Sequence, residues 1–395
     1  MPTVIALMGR KETPTDGVAD YCALLGEALA EHRVELNKVH VRWHEDGWLS
    51  ALRTLWSGAR EWRGQWVALQ YTAMGWSGRG FPFGTIAALA VLKCRGVRCA
   101  VTFHEARQQE QGTRWIDQIR GAVQDFLIRT LFRIADKGIF TVPIGSIPWL
   151  KHANHKAVFI PIGANLPPPV RLSHANNPLT AATKTVAVFC VSPPPNRTIE
   201  IEDLAYAARR ARRSGISVEL VVFGKGADEA RPEIERALSS TGASLRVMGI
   251  LPPGEIAEIL YGATLLLFVY GQVAQTRGSA LAGVACGLPI VGYSGSAAGT
   301  TIEEAGLALV PWRDRQALGD ALVRVLTDHS LELVLRERSR FAQEKYFSWP
   351  SIARQYVEVL SASASPQPVQ ETDLAVAQES ALHNKQNREA SHLAR

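Results

Sequence analysis

The chain has 395 residues, 47% hydrophobic and 20% charged, the balance of a soluble globular protein with enough length for two full cores. Five scattered cysteines sit among apolar neighbours, which argues against a disulfide framework and for thiols in a reducing compartment. No window approaches 18 apolar residues, so a spanning helix is not expected, and the short MPTVIALMGRK start, followed at once by charge, does not read as a signal peptide. Of the net charge, residues 1–165 carry +6, residues 166–360 carry +1 and the last 35 carry −1. The basic first part suits an anionic partner such as phospholipid headgroups or a phosphorylated acceptor, or is simply a solvated basic surface; nucleic acid is not expected.

Strand and helix patterns alternate from the start. Thr3–Met8 reads as a strand, followed by a helix from about Val18 to His32, a strand Val39–Arg42, a helix near Leu49–Trp56 and a buried strand Trp66–Gln70. A helix over Phe83–Cys94 leads to the strand Arg98–Phe103, which ends in His104 and Glu105. A long helix, Ile116–Ile134, precedes strands at Lys137–Val142 and Ala157–Pro161. Residues 166–183, rich in Pro, Asn and Ala, have the composition of a linker.

Beyond the linker the alternation restarts: strand Val186–Val191, helix Ile201–Ser214, strand Ser217–Phe223, helix Pro232–Ser239, strand Leu245–Met248, helix Glu255–Tyr261 and strand Leu265–Val269. Such order predicts parallel sheets covered on both faces, in two domains spanning 1–165 and 184–345. A C-terminal helix is expected at 346–360, and residues 361–395 lack apolar periodicity and read as disordered. The arginines of ARRARR at Ala208–Arg213 read as a solvated helix end.

The segment Thr276–Val291, TRGSALAGVACGLPIV, is the most specific in the chain. Arg277, Gly278 and Ser279 would open a helix, where unpaired backbone N–H groups and the dipole attract phosphate. Small residues follow, so the helix packs close to a sheet; Gly287 and Pro289 then end it. The motif fits a diphosphate site or an ordinary strand-connecting helix. His152 and His155 in KHANHK have loose metal spacing without thiolate or carboxylate company, and read as a loop.

Over residues 1–360 the order of GVADYCALLGEAL, VTFHE, FIPIGAN, VVFGKG, RVMGILPPGEIAEILYGATLLLFV and ACGLPIV resembles the GT-B glycosyltransferases, in particular the retaining family four group. LQYTAMGWSGRGFP and RGS are similar to a bacterial subgroup found in polysaccharide assembly. The resemblance implies an α/β fold of two Rossmann-like, doubly wound parallel-sheet domains facing a central cleft. It places Asp16, Gly17 and Val18 over the donor phosphates, although Asp16 also fits a simple helix cap. It places His104 beside the reacting sugar, where an imidazole hydrogen-bonds a hydroxyl or stabilises charge, with Glu105 orienting it or touching the acceptor. Arg197 matches the lysine that pairs with the diphosphate, Gly224 follows a strand of the donor domain, and Met248, Gly249 and Ile250 fall where backbone reads the nucleobase.

Two departures stand out. The family's usual arginine is Ser192 here, and its two glutamates fall on Ala274 and Ala282, removing contacts to the donor sugar and the ribose. The implied activity is transfer of a sugar from a nucleoside diphosphate-sugar to a hydroxyl of a glycan or lipid-linked acceptor, with retention, in polysaccharide biosynthesis. No cofactor and no metal are expected, because no DxD motif is present. The expected location is cytoplasmic, with peripheral membrane contact through the basic first part. Two alternatives remain: a catalytically silent GT-B protein binding a glycan or partner enzyme, and a nucleotide-sugar epimerase of the same form.

Overall fold

The computed structural model describes residues 2–10, 16–105, 115–150, 155–167, 183–295 and 300–361. Most of the expected linker, His152 and the tail beyond Ser361 lie outside them. Residues 1–360 form one compact unit that holds two parallel six-stranded sheets.

The first sheet contains β1 (Thr3–Met8), β2 (Glu35–His40), β3 (Trp66–Tyr71), β4 (Arg98–Phe103), β5 (Lys137–Phe140) and β6 (Ala157–Phe159), in the order β2-β1-β3-β4-β5-β6. Its connections include α1 (Gly17–Glu31), α2 (Trp43–Asp46), α3 (Trp48–Gly58), α4 (Phe83–Cys94) and α5 (Trp115–Ile134). The second contains β7 (Thr183–Phe189), β8 (Ser217–Phe223), β9 (Ser244–Val247), β10 (Leu265–Gln272), β11 (Ile290–Tyr293) and β12 (Leu307–Val310), ordered β12-β11-β10-β7-β8-β9. It is threaded by α6 (Asn196–Arg213), α7 (Ala227–Leu238), α8 (Pro253–Gly262), α9 (Gly278–Ala285), α10 (Thr300–Glu303), α11 (Arg315–Thr327) and α12 (His329–Ala342).

Each sheet is doubly wound because its strands are buried on both faces. In the second, Val186, Val188, Leu220 and Leu267 pack towards α6, α7 and α11, while Ala187, Val221, Leu266 and Phe268 pack towards α8 and α9. The small residues of α9 are required by this packing: a Cβ on Gly283 would stand 2.7 Å from Leu266. The helix stops as its sequence dictates. Gly287 adopts φ 66°, and the amides of Leu288 and Gly287 return to the carbonyls of Gly283 and Val284 at 2.9 Å each.

Two features depart from the sequence reading. The second strand is Glu35–His40 rather than Val39–Arg42; as an edge strand with no fully buried residue it carries little apolar signal. The helix expected at Pro232–Ser239 begins five residues earlier, at Ala227 behind the left-handed Gly226, with Pro232 inside it.

A last helix, α13 (Trp349–Ser361), leaves the second sheet and packs on the first. Ile352, Ala353 and Tyr356 are buried against β1 and α1, and the Tyr356 hydroxyl lies 2.9 Å from that of Tyr21 and 3.1 Å from Thr102 Oγ1. Burying such side chains contributes about 1.5–3 kcal/mol each. The two sheets are thereby tied by the chain's own end as well as by the connection between β6 and β7.

Candidate active site

In an open parallel sheet the crevice lies at the carboxyl edge where the strand order reverses, since adjacent connections there leave in opposite directions. In the first sheet that point lies between β1 and β3, and in the second between β7 and β10. The two carboxyl edges face each other: Gln275, just beyond β10, donates from Nε2 to the carbonyl of Thr141, just beyond β5, at 3.2 Å.

At the second switch point, β7 ends in Cys190, whose φ of 72° is unusual for a residue with a side chain. Glu200, on the first turns of α6, reaches back and accepts from the Ser192 amide at 2.8 Å and from the Ser192 hydroxyl. Burial pushes the Glu200 carboxyl up from its ordinary value, while the two Ser192 donors and the positive charge of Arg277 pull it down. Glu200 is the residue that sequence reasoning missed here. Its signal was the serine in the family's arginine position, which needs no anion but can be tied by one.

On the other side of this point, α9 opens with no side-chain cap. Nothing lies within 4 Å of where a Gly278 Cβ would stand, and Ser279 is buried. Arg277, the residue before the helix, is exposed; its guanidinium lies 5.2 Å from the Tyr270 ring centre, and no described carboxylate forms an ion pair with it. Ala274 and Ala282, the positions of the missing glutamates, are buried at 5% and 3% exposure.

The remaining donor candidates are more constrained. Arg197 is held 3.4 Å from the Ser192 carbonyl and 3.5 Å from Glu233. Gly224 donates to the Gly249 carbonyl at 2.9 Å. Its φ of 90° and the Phe189 ring 2.8 Å from a would-be Cβ exclude any other residue there. Asp228 crowds Gly249 in the same way, and Ile250 is 65% exposed. These glycines lie beyond β8 and β9 and shape the edge rather than the switch point itself.

In the first sheet, Asp16 caps α1, accepting from the amides of Val18 and Ala19 at 3.1 and 2.9 Å. A carboxylate therefore already occupies the N–H groups that the phosphate loop would offer, and nothing lies within 4 Å of a Gly17 Cβ. Glu105 does not bond to the His104 ring; it accepts from the Ala73 amide at 3.0 Å and so ties the ends of β3 and β4.

His104 itself is fixed. Gln70 donates through Nε2 to the Ala68 carbonyl, which turns its Oε1 to His104 Nε2 at 2.8 Å. The Tyr21 ring meets the imidazole edge-on at 5.0 Å. Burial lowers the His104 pKa to about 4, so the ring is neutral near pH 7, with its proton on Nε2 and Nδ1 left as an acceptor. A neutral imidazole with Nδ1 as acceptor is able to take a hydrogen bond from a hydroxyl.

The same burial gives a pH signature. Below the unfolded value of about 6.5 the unfolded chain takes up a proton that the native ring refuses until about pH 4, so stability falls as pH falls through that window. His104→Asn is expected to lose about 2 kcal/mol less stability than the wild type between pH 7 and 4.5. Guanidinium midpoints at the two pH values measure it; parallel losses would contradict a neutral, desolvated imidazole.

Among solved structures, a Rickettsia africae glycosyltransferase superposes with a TM-score of 0.63 at 12% identity, over 92% of this chain and 99% of that one. The fold is GT-B. A Listeria monocytogenes protein described as a UDP-N-acetylglucosamine 2-epimerase shares it with a TM-score of 0.61 at 12% identity, covering 91% of this chain and 96% of that one. So does the E. coli trehalose-6-phosphate protein bound with UDP-2-fluoro glucose, at 0.56 and 13% identity over 92% and 99%. Residues 186–328, most of the second GT-B lobe, match the family model described as Glycosyl transferases group 1. No curated protein matches the sequence. Among the described residues no helix is long and apolar enough to cross a membrane.

Proposed function

We propose that this protein is a glycosyltransferase that moves a sugar from a nucleoside diphosphate donor to a hydroxyl of a glycan or lipid-linked acceptor, with retention, in polysaccharide biosynthesis. The observation that carries this reading is Arg277: an exposed guanidinium at the uncapped start of α9, at the second switch point, on the edge that faces His104. A departing diphosphate gains negative charge, and a guanidinium with oriented helix amides is suited to receive it. No metal is required by this arrangement. Gly278 and Ser279 complete the anion site, and His104 Nδ1 would accept a hydroxyl of the transferred sugar. Arg197 would join the diphosphate after leaving Glu233, and the backbone from Gly249 to Ile250 would border the base. Asp16, Gly17 and Val18 would close over the donor from the first lobe, with Asp16 bound to its own helix amides. The neighbours that contain UDP or a UDP-sugar support a uridine donor.

Two other readings have their own support. The loss of both glutamates and the Gln275 bridge across the crevice favour a silent binding protein, and the fold shared with an epimerase favours isomerisation of a nucleotide-sugar. One experiment separates all three. Thermal-shift measurements with UDP-, GDP-, ADP- and TDP-sugars identify the donor, and nucleotide release is then followed with and without acceptor glycans. Acceptor-dependent release is expected. Binding with no release under any acceptor would favour the silent protein, and conversion of the donor sugar with the nucleotide still attached would favour the epimerase. Membrane contact through the basic first lobe, in a cytoplasmic protein, completes the proposal; sedimentation with anionic vesicles tests it.

A further inference from the structure

The first sheet has a switch point of its own, and a cation stands at it that the donor reading does not use. Arg10 follows Gly9 at the end of β1, and its amide donates to the Gly75 carbonyl beyond β3 at 2.8 Å. Gly9 leaves no alternative path, because a Cβ there would clash with the same carbonyl. Trp43 Nε1 donates to that carbonyl as well, at 3.2 Å, and the Trp43 ring stacks on Trp48 at 5.4 Å. Trp48 in turn lies directly over Gly84 at the start of α4. The ends of β1, β2 and β3 thus converge rigidly around Arg10.

What this frame leaves open is the guanidinium. Its Nε is buried with no hydrogen-bond partner, and no described carboxylate forms an ion pair with it. A desolvated N–H without an acceptor is costly, so a native structure that keeps one supplies it with a water, an ion or a ligand, or keeps it for function. The planar fork of a guanidinium matches phosphate bidentately. Two exposed apolar side chains belong to the same frame by sequence: Met74, next to Gly75, is 43% exposed, and Phe83, next to Gly84, is 55% exposed.

We propose that Arg10 is the centre of a second anion site, in the first lobe, which takes a phosphate group carried by the acceptor. This deepens the transferase reading and rests on it for the word acceptor. Each sheet then holds one reactant at its own switch point by one arginine that forms no ion pair among the described residues, the donor diphosphate on Arg277 and the acceptor phosphate on Arg10. A sugar phosphate and a prenyl phosphate share the recognised chemistry.

Calorimetry on the full chain tests this with a hexose phosphate, a short-chain prenyl phosphate, the unphosphorylated hexose and UDP. The wild type is expected to bind at least one phosphate ligand at least tenfold more tightly than the hexose, and the tighter of the two identifies the source. Arg10→Gln is expected to lose that preference and keep its UDP affinity; Arg277→Ala is expected to do the reverse. Arg10→Lys, which retains a cation, is expected to recover part of the phosphate affinity and guards against a folding defect. Equal phosphate affinity in Arg10→Gln and the wild type would overturn the proposal, as would absence of phosphate binding by the wild type. A parallel loss of UDP and phosphate in Arg10→Gln would also overturn it, by assigning Arg10 to the donor. If UDP binds no form of the protein while the phosphate results hold, the transferase reading falls and the anion site stands.

Discussion

Arg277→Ala is expected to weaken binding of the nucleoside diphosphate about 30–100-fold, from loss of about 2–3 kcal/mol of charge-assisted hydrogen bonding. The fold should not register the change. Arg277 is exposed, lies over the Tyr270 ring and forms no ion pair with a described carboxylate, so unfolding midpoints should stay within about 0.5 kcal/mol of the wild type. Calorimetric titration with UDP, beside a guanidinium unfolding curve, separates the two effects. Unchanged affinity would remove the cation from the site and with it the main support for sugar transfer.

A second substitution is expected to act only on stability. Arg336 on α12 is 7% exposed and Glu332, one turn before it, 2% exposed. Their side chains meet at 3.1 Å, and Arg336 Nη2 also donates to the carbonyls of Ala263 and Thr264 at 3.1 and 2.8 Å. These carbonyls lie where the chain enters β10, the strand that leads to Arg277. Arg336→Ala leaves two carbonyls without their donor and a buried carboxylate with His329 Nδ1, 3.8 Å away, beside it, and should cost about 3–5 kcal/mol in chemical denaturation. Replacing the pair together, Arg336→Met with Glu332→Leu, should restore the part that comes from the abandoned carboxylate, while the two carbonyls stay without their donor. A loss below about 1 kcal/mol in the single variant would mean that Glu332 regains solvent or another donor.

Much of the second lobe was legible because its signals are local. The stop at Gly287, the small residues of α9 and the open start at Gly278 each follow from steric and hydrogen-bonding rules within a few residues. Asp16 was equally legible as a cap, and the structure shows the cap. Less was visible where a residue's meaning depends on a partner far along the chain. His104 stood out by position, but its neutral state and its tautomer come from Gln70, 34 residues earlier, and from the burial around it. Arg10 gave no sign at all, because an arginine after a strand is ordinary until its surroundings show its Nε buried without a hydrogen-bond partner. Glu200 drew no attention, standing just before the expected helix Ile201–Ser214, and only the fold of the β7–α6 turn brings it to Ser192.

By itself the sequence determined the alternation of strands and helices, the two parallel sheets and the stops and caps of individual elements, since apolar period and backbone sterics act over short stretches of chain. Tertiary structure alone decided where each strand order reverses, that α13 returns to the first sheet to pair Tyr356 with Tyr21 across 335 residues, and that the Arg10 Nε is buried without a hydrogen-bond partner. Burial and charge pairing depend on what arrives from elsewhere in the chain, and no local pattern records that arrival.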